Sequence, residues 1–570
     1  MSRAPLPATV TWPEEVRAGY RAAGYWSEQT FAAFLDERVR RFGERQAVVG
    51  VDAAGAWQRW TYRDLGAAAV RGADWLRGHG VGPGDRVVLH LPNTVELIAV
   101  LAGAFALGAV PVMGLPSHRD LELAQFARLA DAAAIVGLPG GAQGLRDAAE
   151  LAALHARIAD RLQGEESSRP GWTPPALLDA ATLRLGELAA GAADLDSLPG
   201  KAIEGPRPAE QVALLQLSGG TTGVPKLIPR THADYLYSVR ESARICELDA
   251  DQVLLVALPA VHNFALSSPG ILGALEVGAS VVLAPDPSPR TAFGLIERER
   301  VTFASLVPPL AQAWVAAQRR RPADLASLRV VQVGGAKLAP SVAEEVEPVL
   351  GVRLQQVFGM AEGLVNYTRY DDADELRHTS QGLPISSADE ILIVDAEDRP
   401  VPDGVEGALL TRGPYTIRGY LRPTPEAEAA FTADGFYRTG DRVRRLPSGH
   451  LIVTGRDKDQ INRAGEKIAV DELEEAAVAH PDVHDALAIG EPDPYLGERI
   501  CLLVVLETGR AEPGDLREHL RARGLAEFKL PDRVAYLSSF PTTAVGKNSR
   551  RELRRLLAER ESVTTTASEA

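Results

Sequence analysis

LSGGTTGVPKLIPRTH, residues 217–232, crowds Ser218, Gly219, Gly220, Thr221, Thr222 and Gly223 together and sets Lys226 three residues beyond. Glycines let the backbone turn several N–H groups inward, the hydroxyls add donors and the lysine adds a charge. Together they suit a polyphosphate. The stretch is not the usual P-loop, because Pro225 and not glycine precedes Lys226, so the G-x-x-x-x-G-K-[ST] pattern fails. GHGVGPGD (78–85) is a contrast. Its glycines follow a helical pattern and precede a strand, whereas a dinucleotide site needs the reverse order, so it reads as a plain loop.

Outward from this stretch, short β-rich runs alternate with helical patterns. RVVLHL (86–91) precedes a helical segment over Val95–Leu107, and AAAIVG (132–137), QVLLVAL (252–258), ASVVLA (279–284) and LRVVQVGG (328–335) follow. Strands alternating with helices predict an α/β fold of stacked layers with largely parallel sheets. Residues 164–210 are rich in Pro, Gly and Ser and read as surface loops around a short helix near Asp179–Ala190. A second break comes near 455–470. After it, DALAIGEPD, RICLLVVLE and DRVAYLSSF give strand signals in a unit of about 100 residues, the size of a small α+β domain. The expected division is 1–456 for a large domain and 457–560 for a small one, with 561–570 as a disordered tail.

Length and composition agree. At 570 residues the chain is too long for one ordinary core. With 45% hydrophobic and 24% charged residues it reads as a globular protein. No apolar run approaches a membrane span and the first residues lack a signal-peptide core, so a cytoplasmic protein without a membrane partner is expected. A formal net charge of −15 argues against nucleic acid as partner, and leaves an anionic substrate to be held by local donors. Two cysteines, Cys246 and Cys501, make neither a CxxC pair nor a Cys/His cluster, and read as buried thiols.

Five stretches carry a resemblance. SGGTTGVPKLIPRTH, QQVFGMAEGLVNYT (355–368), YRTGD (437–441), GRDKDQINRAGEKI (455–468) and PTTAVGK (541–547) stand in order along the chain. They resemble the successive core motifs of the adenylate-forming superfamily of acyl-CoA synthetases, luciferases and peptide-synthetase adenylation domains. VHNFALSSPGILGAL (261–275), FGMAEGLVNYT and TWPEEVRAGYRAAGYW (11–26) are most similar to the stand-alone aryl-acid AMP ligases, which activate 2,3-dihydroxybenzoate or salicylate. The resemblance implies a large N-terminal domain and a small mobile C-terminal one. It implies ATP and Mg²⁺ as cofactors, and two half-reactions: a carboxylate attacks the α-phosphate of ATP, then a thiol attacks the acyl-adenylate. No carrier segment is evident in the chain, so the resemblance implies an aryl carrier protein with a phosphopantetheine arm acting in trans.

Residue by residue, the resemblance makes Lys547 the electrostatic catalyst of adenylation and Glu362 the Mg²⁺-associated carboxylate, with His262 as a further catalytic candidate. Asp441 would accept from both ribose hydroxyls, as a carboxylate can, with Arg456 in support. Gly334, Gly335 and Ala336 would let adenine lie against the backbone, with Phe358 on its other face and Gly359, Met360 and Ala361 beside it. The family more often has Tyr at the Phe358 position. Lys458 matches the hinge between the domains, and Gly465 the face met by the phosphopantetheine.

The same resemblance implies that the acid pocket falls to Asn263, Phe264, Ser268, Gly335 and Val365, the matching asparagine bonding the ortho substituent and the residues matching Ser268 and Val365 lying near the ring's 3-position. The stretch lacks the acid that would pair with an α-ammonium, which argues against an amino-acid substrate. Asn263 would bond an ortho hydroxyl or amine, and Ser268 a 3-hydroxyl. The expected substrate is therefore an ortho-substituted benzoic acid, with 2,3-dihydroxybenzoate in the lead and salicylate and 3-hydroxyanthranilate open. Phe264 stands where dihydroxybenzoate enzymes commonly have Tyr. Two other readings compete: an aryl- or acyl-CoA ligase, and a non-catalytic nucleotide-binding scaffold.

Overall fold

Helix Val95–Leu107 is apolar but for Glu96, and all 13 of its residues are buried. In the computed structural model it lies against helix Tyr62–Gly78 at a crossing of two glycines. A Cβ on Gly103 would stand 2.5 Å from the carbonyl carbon of Gly72, so only glycine permits the approach. The structure describes residues 6, 11–139, 147–163, 173–185, 207–218, 226–456, 460–463, 466–493, 496–510, 512–514, 516–523, 525–542, 548–550 and 552–555.

Two large sheets flank this helical layer. One has six strands, ordered Ala176–Asp179, Ala132–Gly137, Arg86–His90, Val110–Gly114, Val212–Leu217 and Leu227–Thr231; only the last pairing is antiparallel. The other has nine strands. Its central run, from Arg353–Met360 through Val330–Gly334, Phe303–Leu306, Val253–Val256 and Ser280–Leu283 to Gln46–Val51, is parallel throughout. Short, continuous apolar strands suit sheets covered on both faces. An antiparallel four-stranded sheet, from Glu390–Val394 to Leu451–Arg456, adjoins the end of the nine-stranded one. The strands and the helix expected from the sequence in this region stand where the periodicity put them.

Of the short helix expected near Asp179–Ala190, residues 186–190 lie outside the described residues. Near Asp179–Ala190 the chain forms the edge strand Ala176–Asp179 and a single 3-10 turn over Ala180–Leu183. The Asp179 carboxylate accepts from the Ala181 N–H. Pairing with Ala132–Gly137 holds Ala176–Asp179 extended.

Residues beyond 460 build their own sheet, in which Val483–Asp493 pairs with Gly497–Leu506 and Arg533–Leu537 joins in parallel. Helices Val470–Val478 and Leu516–Ala522 cover it around a separate core that includes Ile468, Leu473, Leu502 and Leu520. This is the expected small α+β unit. The tail 561–570 lies outside the described residues. Both cysteines are buried free thiols. Among the described residues no helix is long and apolar enough to cross a membrane.

The segment after residue 10 straps the loop Gly413–Gly419. The Trp12 indole N–H donates to the Thr416 carbonyl (3.2 Å) and that of Trp26 to the Pro414 carbonyl (2.7 Å). The Tyr20 ring packs between the two indoles.

Candidate active site

The loops that follow the parallel strands of the nine-stranded sheet lie at its carboxyl edge, where open α/β sheets hold their ligands. Strand Val330–Gly334 ends beside Val357. A Cβ on Gly334 would come within 2.9 Å of the Val357 carbonyl oxygen and 3.2 Å of Phe264 Cζ. The glycine therefore lets the Phe264 ring lie against bare backbone. Gly335, at φ +85°, turns the chain away from the sheet.

Phe264 belongs to the short helix Asn263–Ser267, whose N-cap is His262; its Nδ1 accepts from the Phe264 N–H at 3.3 Å. Asn263 Oδ1 accepts from the Tyr235 O–H at 2.8 Å, and Tyr235 in turn accepts from Gln216 Nε2 at 3.1 Å. Ser268 ends the helix, buried, near the phenol of Tyr367. Val365 packs across the strand pair from Gly359, where a Cβ would sit 3.2 Å from Val365 Cγ2. The Val365 N–H donates to the Tyr415 oxygen (3.1 Å), and the Tyr415 O–H donates to Asp389 Oδ2 (2.6 Å). Burial pushes the Asp389 carboxyl up to about 7, against the lowering pull of the Tyr415 bond. The structure thus brings Phe264, Gly334 and Val357 into contact, with Asn263, Ser268 and Val365 on the neighbouring elements.

The second half of the site centres on Glu362. It is buried, and loss of solvent raises its pKa, opposed by the Tyr420 hydrogen bond and by the charges of Lys226 and Arg456. The Tyr420 O–H donates to Glu362 Oε1 at 2.9 Å; the Tyr437 hydroxyl lies 3.0 Å from that of Tyr420. The Lys226 ammonium sits 4.7 Å from the centre of the Tyr420 ring. Arg230, buried, donates to Asp234 Oδ1 (2.8 Å), the Ala361 carbonyl (2.8 Å) and the Tyr415 carbonyl (3.1 Å). Met360 and Ala361 pack with Ile228 and Tyr420, while Phe358 packs toward the four-stranded sheet. Asp441 faces Arg456 across a strand pair, and Arg456 Nε donates to its Oδ1 at 2.8 Å. Ser218 closes the base of the glycine-rich stretch: its N–H donates to the Lys226 carbonyl, and its Oγ accepts from the Lys226 N–H.

A lone buried carboxylate is a fitting protein ligand for Mg²⁺, which keeps several waters and takes most of its other oxygens from phosphates. Among the described residues no group of three or more acids, histidines or cysteines could hold a metal without such help. Gly219, Gly220, Thr221, Thr222, Gly223, Lys458, Gly465 and Lys547 lie outside the described residues. The chain on either side of Lys547 is tied down: Thr542 bridges Asn548, Asn548 Nδ2 donates to Asp485 Oδ2 (2.8 Å), and Arg550 donates to both Glu474 oxygens (2.7 Å each).

Sequence reasoning passed over Gln216, Arg230, Tyr235, Tyr415 and Tyr420. Arg230 stood inside a quoted motif and was legible as a charge beside the phosphate stretch. Tyr235 sits on the buried side of helix His232–Ile245, where an aromatic reads as core.

Comparison with known proteins places the chain. The profile of the "AMP-binding enzyme" family matches residues 35–421, and that of the "AMP-binding enzyme C-terminal domain" matches 472–547. The 2,3-dihydroxybenzoate-AMP ligase of Bacillus subtilis is 46% identical, covering 97% of this chain and 98% of its own. A 2-hydroxy-7-methoxy-5-methyl-1-naphthoate–CoA ligase of Streptomyces carzinostaticus is also 46% identical, covering 97% of each. The apo structure of Mycobacterium smegmatis MbtA superposes with a TM-score of 0.68 at 43% identity, over 96% of this chain and 98% of that one. With both family profiles matched in order, and relatives this similar over nearly the full length, the chain belongs to the AMP-binding enzyme family of adenylate-forming ligases.

Proposed function

We propose that this enzyme joins an ortho-substituted benzoic acid, 2,3-dihydroxybenzoate first, to ATP as the aryl-adenylate and then passes the aryl group to the phosphopantetheine thiol of a carrier protein. One observation carries the reading. The Phe264 ring lies on the bare backbone of Gly334, and the helix that carries it adds an amide (Asn263) and ends at a hydroxyl (Ser268), with no acid among its residues to pair with an amino group. The two relatives described above are named for acids that bear a hydroxyl next to the carboxylate.

In the first half-reaction a carboxylate oxygen of the acid attacks the α-phosphorus, and the bond to the β-phosphate bridging oxygen breaks, releasing pyrophosphate. Both reactants are anionic, so the protein must offset repulsion and hold the atoms in line. Lys547 brings an ammonium to the carboxylate and the α-phosphate. Residues 218–226 hold the β- and γ-phosphates. Asp441 takes the ribose hydroxyls, fixed by Arg456. Adenine lies by Gly334–Ala336 and Phe358. Glu362 would hold Mg²⁺, which neutralises phosphate charge when bound. In the second half-reaction the thiolate attacks the acyl carbon and AMP leaves. A turn of the small unit about Lys458 would exchange Lys547 for the face around Gly465.

The test is acid-dependent ATP–pyrophosphate exchange with 2,3-dihydroxybenzoate, salicylate, 3-hydroxyanthranilate, benzoate, and a set of amino and fatty acids. Exchange confined to the ortho-substituted benzoates is expected; exchange with only amino or fatty acids overturns the substrate reading. The CoA ligase among the relatives favours a second acceptor. Thioester formation with CoA and with a pantetheinylated carrier, compared side by side, decides between them.

A further inference from the structure

Resting on the aryl-acid reading of the Asn263 pocket, we infer that Tyr235, held by Gln216, is a specificity-positioning residue that turns the Asn263 amide so that its N–H₂ edge meets the substrate's ortho group, selecting a hydroxyl over an amine.

The argument follows the protons. Tyr235 lies on helix His232–Ile245, which packs against helix Asn263–Ser267. Its side chain is 0% exposed, and burial raises its pKa, so the phenol stays protonated. A phenol has one proton to give. The Gln216 Nε2–H occupies a Tyr235 oxygen lone pair at 3.1 Å, and the Tyr235 proton goes to Asn263 Oδ1 at 2.8 Å. Ser267 Oγ approaches the same Oδ1 at 3.4 Å while donating to the Asn263 carbonyl at 3.0 Å. The Asn263 oxygen is thereby engaged from behind. That leaves its Nδ2 donors for a substrate.

An ortho hydroxyl meets a donor well. In a 2-hydroxybenzoate the phenolic proton is given to the neighbouring carboxylate, and the oxygen presents its lone pair outward, where it accepts from Nδ2. An ortho amine gives one proton to the carboxylate and points the other outward, so donor faces donor. Its nitrogen lone pair is delocalised into the ring and accepts poorly. Unpaired polar groups in such a site cost more than a missing contact. Of the acids left open by composition and motif, this favours 2,3-dihydroxybenzoate and salicylate over 3-hydroxyanthranilate.

The experiment measures kcat/KM in pyrophosphate exchange for salicylate, 2-aminobenzoate and benzoate. Wild-type enzyme should prefer salicylate to 2-aminobenzoate by at least about tenfold, the scale of one well-placed hydrogen bond. Tyr235→Phe should lower the salicylate-to-benzoate ratio by about three- to tenfold and narrow the hydroxyl-over-amine ratio. Gln216→Met, one step further from the substrate, should do the same more weakly. Asn263→Asp replaces the donor edge with an acceptor, and should invert the preference toward 2-aminobenzoate. The added charge opposes the carboxylate of all three acids alike, so it cancels in the ratio. A merely structural tyrosine would lower all three acids together and leave the ratios where they were, which overturns the inference. So would a wild-type enzyme that exchanges with aryl acids but does not rank hydroxyl above amine. Exchange with no aryl acid at all overturns the pocket reading and this inference together.

Discussion

The guanidinium of Arg230 donates to the carbonyl of Ala361 at 2.8 Å. Arg230 lies in the strand that leaves the glycine-rich stretch, and Ala361 immediately precedes Glu362. The bond therefore fixes the distance between the two regions assigned to the phosphates and to the metal. Another bond, to the Tyr415 carbonyl, reaches the residue whose oxygen accepts the Val365 N–H.

Replacing Arg230 with Lys keeps the charge but removes the planar fork that serves three partners. The expected cost is about 2 kcal/mol of stability, read by chemical unfolding. The KM for MgATP should rise about tenfold, with a smaller change in the KM for the acid. An acid KM that moves as far as that of MgATP would contradict this account.

Tyr420→Phe removes the donor that helps keep Glu362 ionised against desolvation. The carboxyl is then easier to protonate. The acid limb of the pH profile of kcat/KM for MgATP should move to higher pH, and more free Mg²⁺ should be needed for half-maximal rate. An unmoved limb would separate Tyr420 from the metal site.

Asp389 ionises at about 7 in the fold, against an ordinary value of 3.8. Between those values the unfolded chain has lost the proton and the folded one keeps it, so the contribution to stability is present below 3.8 and is lost as pH rises to about 7. Asp389→Asn has no proton to lose. The unfolding free energy of the wild type relative to the variant should therefore fall across that window, by on the order of 4 kcal/mol at most. Because Asp389 reaches the Val365 N–H through Tyr415, the wild-type KM for the acid should rise above neutral pH, and that of the variant should stay level.

Gly334→Ala places a Cβ within 3.2 Å of the Phe264 ring and 2.9 Å of the Val357 carbonyl. Overpacking of this kind costs about 1–3 kcal/mol. The acid KM should rise by about tenfold or more, with a smaller change for MgATP, measured by exchange at saturating co-substrate.

Much of this was legible in the sequence because it depends on local pattern. Val95–Leu107 announced a helix by its length and pattern, and the parallel strands announced themselves by their short apolar runs. Asn263 and Ser268 were legible through the resemblance of VHNFALSSPGILGAL to the aryl-acid ligases. Tyr235 and Gln216 were not, since what matters about them is a partner 28 or 19 residues away, and the period of a helix or strand shows only which face is buried. The edge strand at Ala176–Asp179 was hidden for a similar reason: its partner is Ala132–Gly137, across a long intervening stretch.

The tryptophan strap gives the opening of the chain an unexpected job. Trp12 and Trp26 hold the carbonyls of Thr416 and Pro414, and between them lies Tyr415, whose hydroxyl receives the N–H of Val365. That segment thus steadies Tyr415 and, through it, Val365, which is assigned to the proposed acid pocket. Trimming residues 11–30, or crowding them with a bulky fusion partner, would act as a change of substrate tolerance before it acted as a loss of fold.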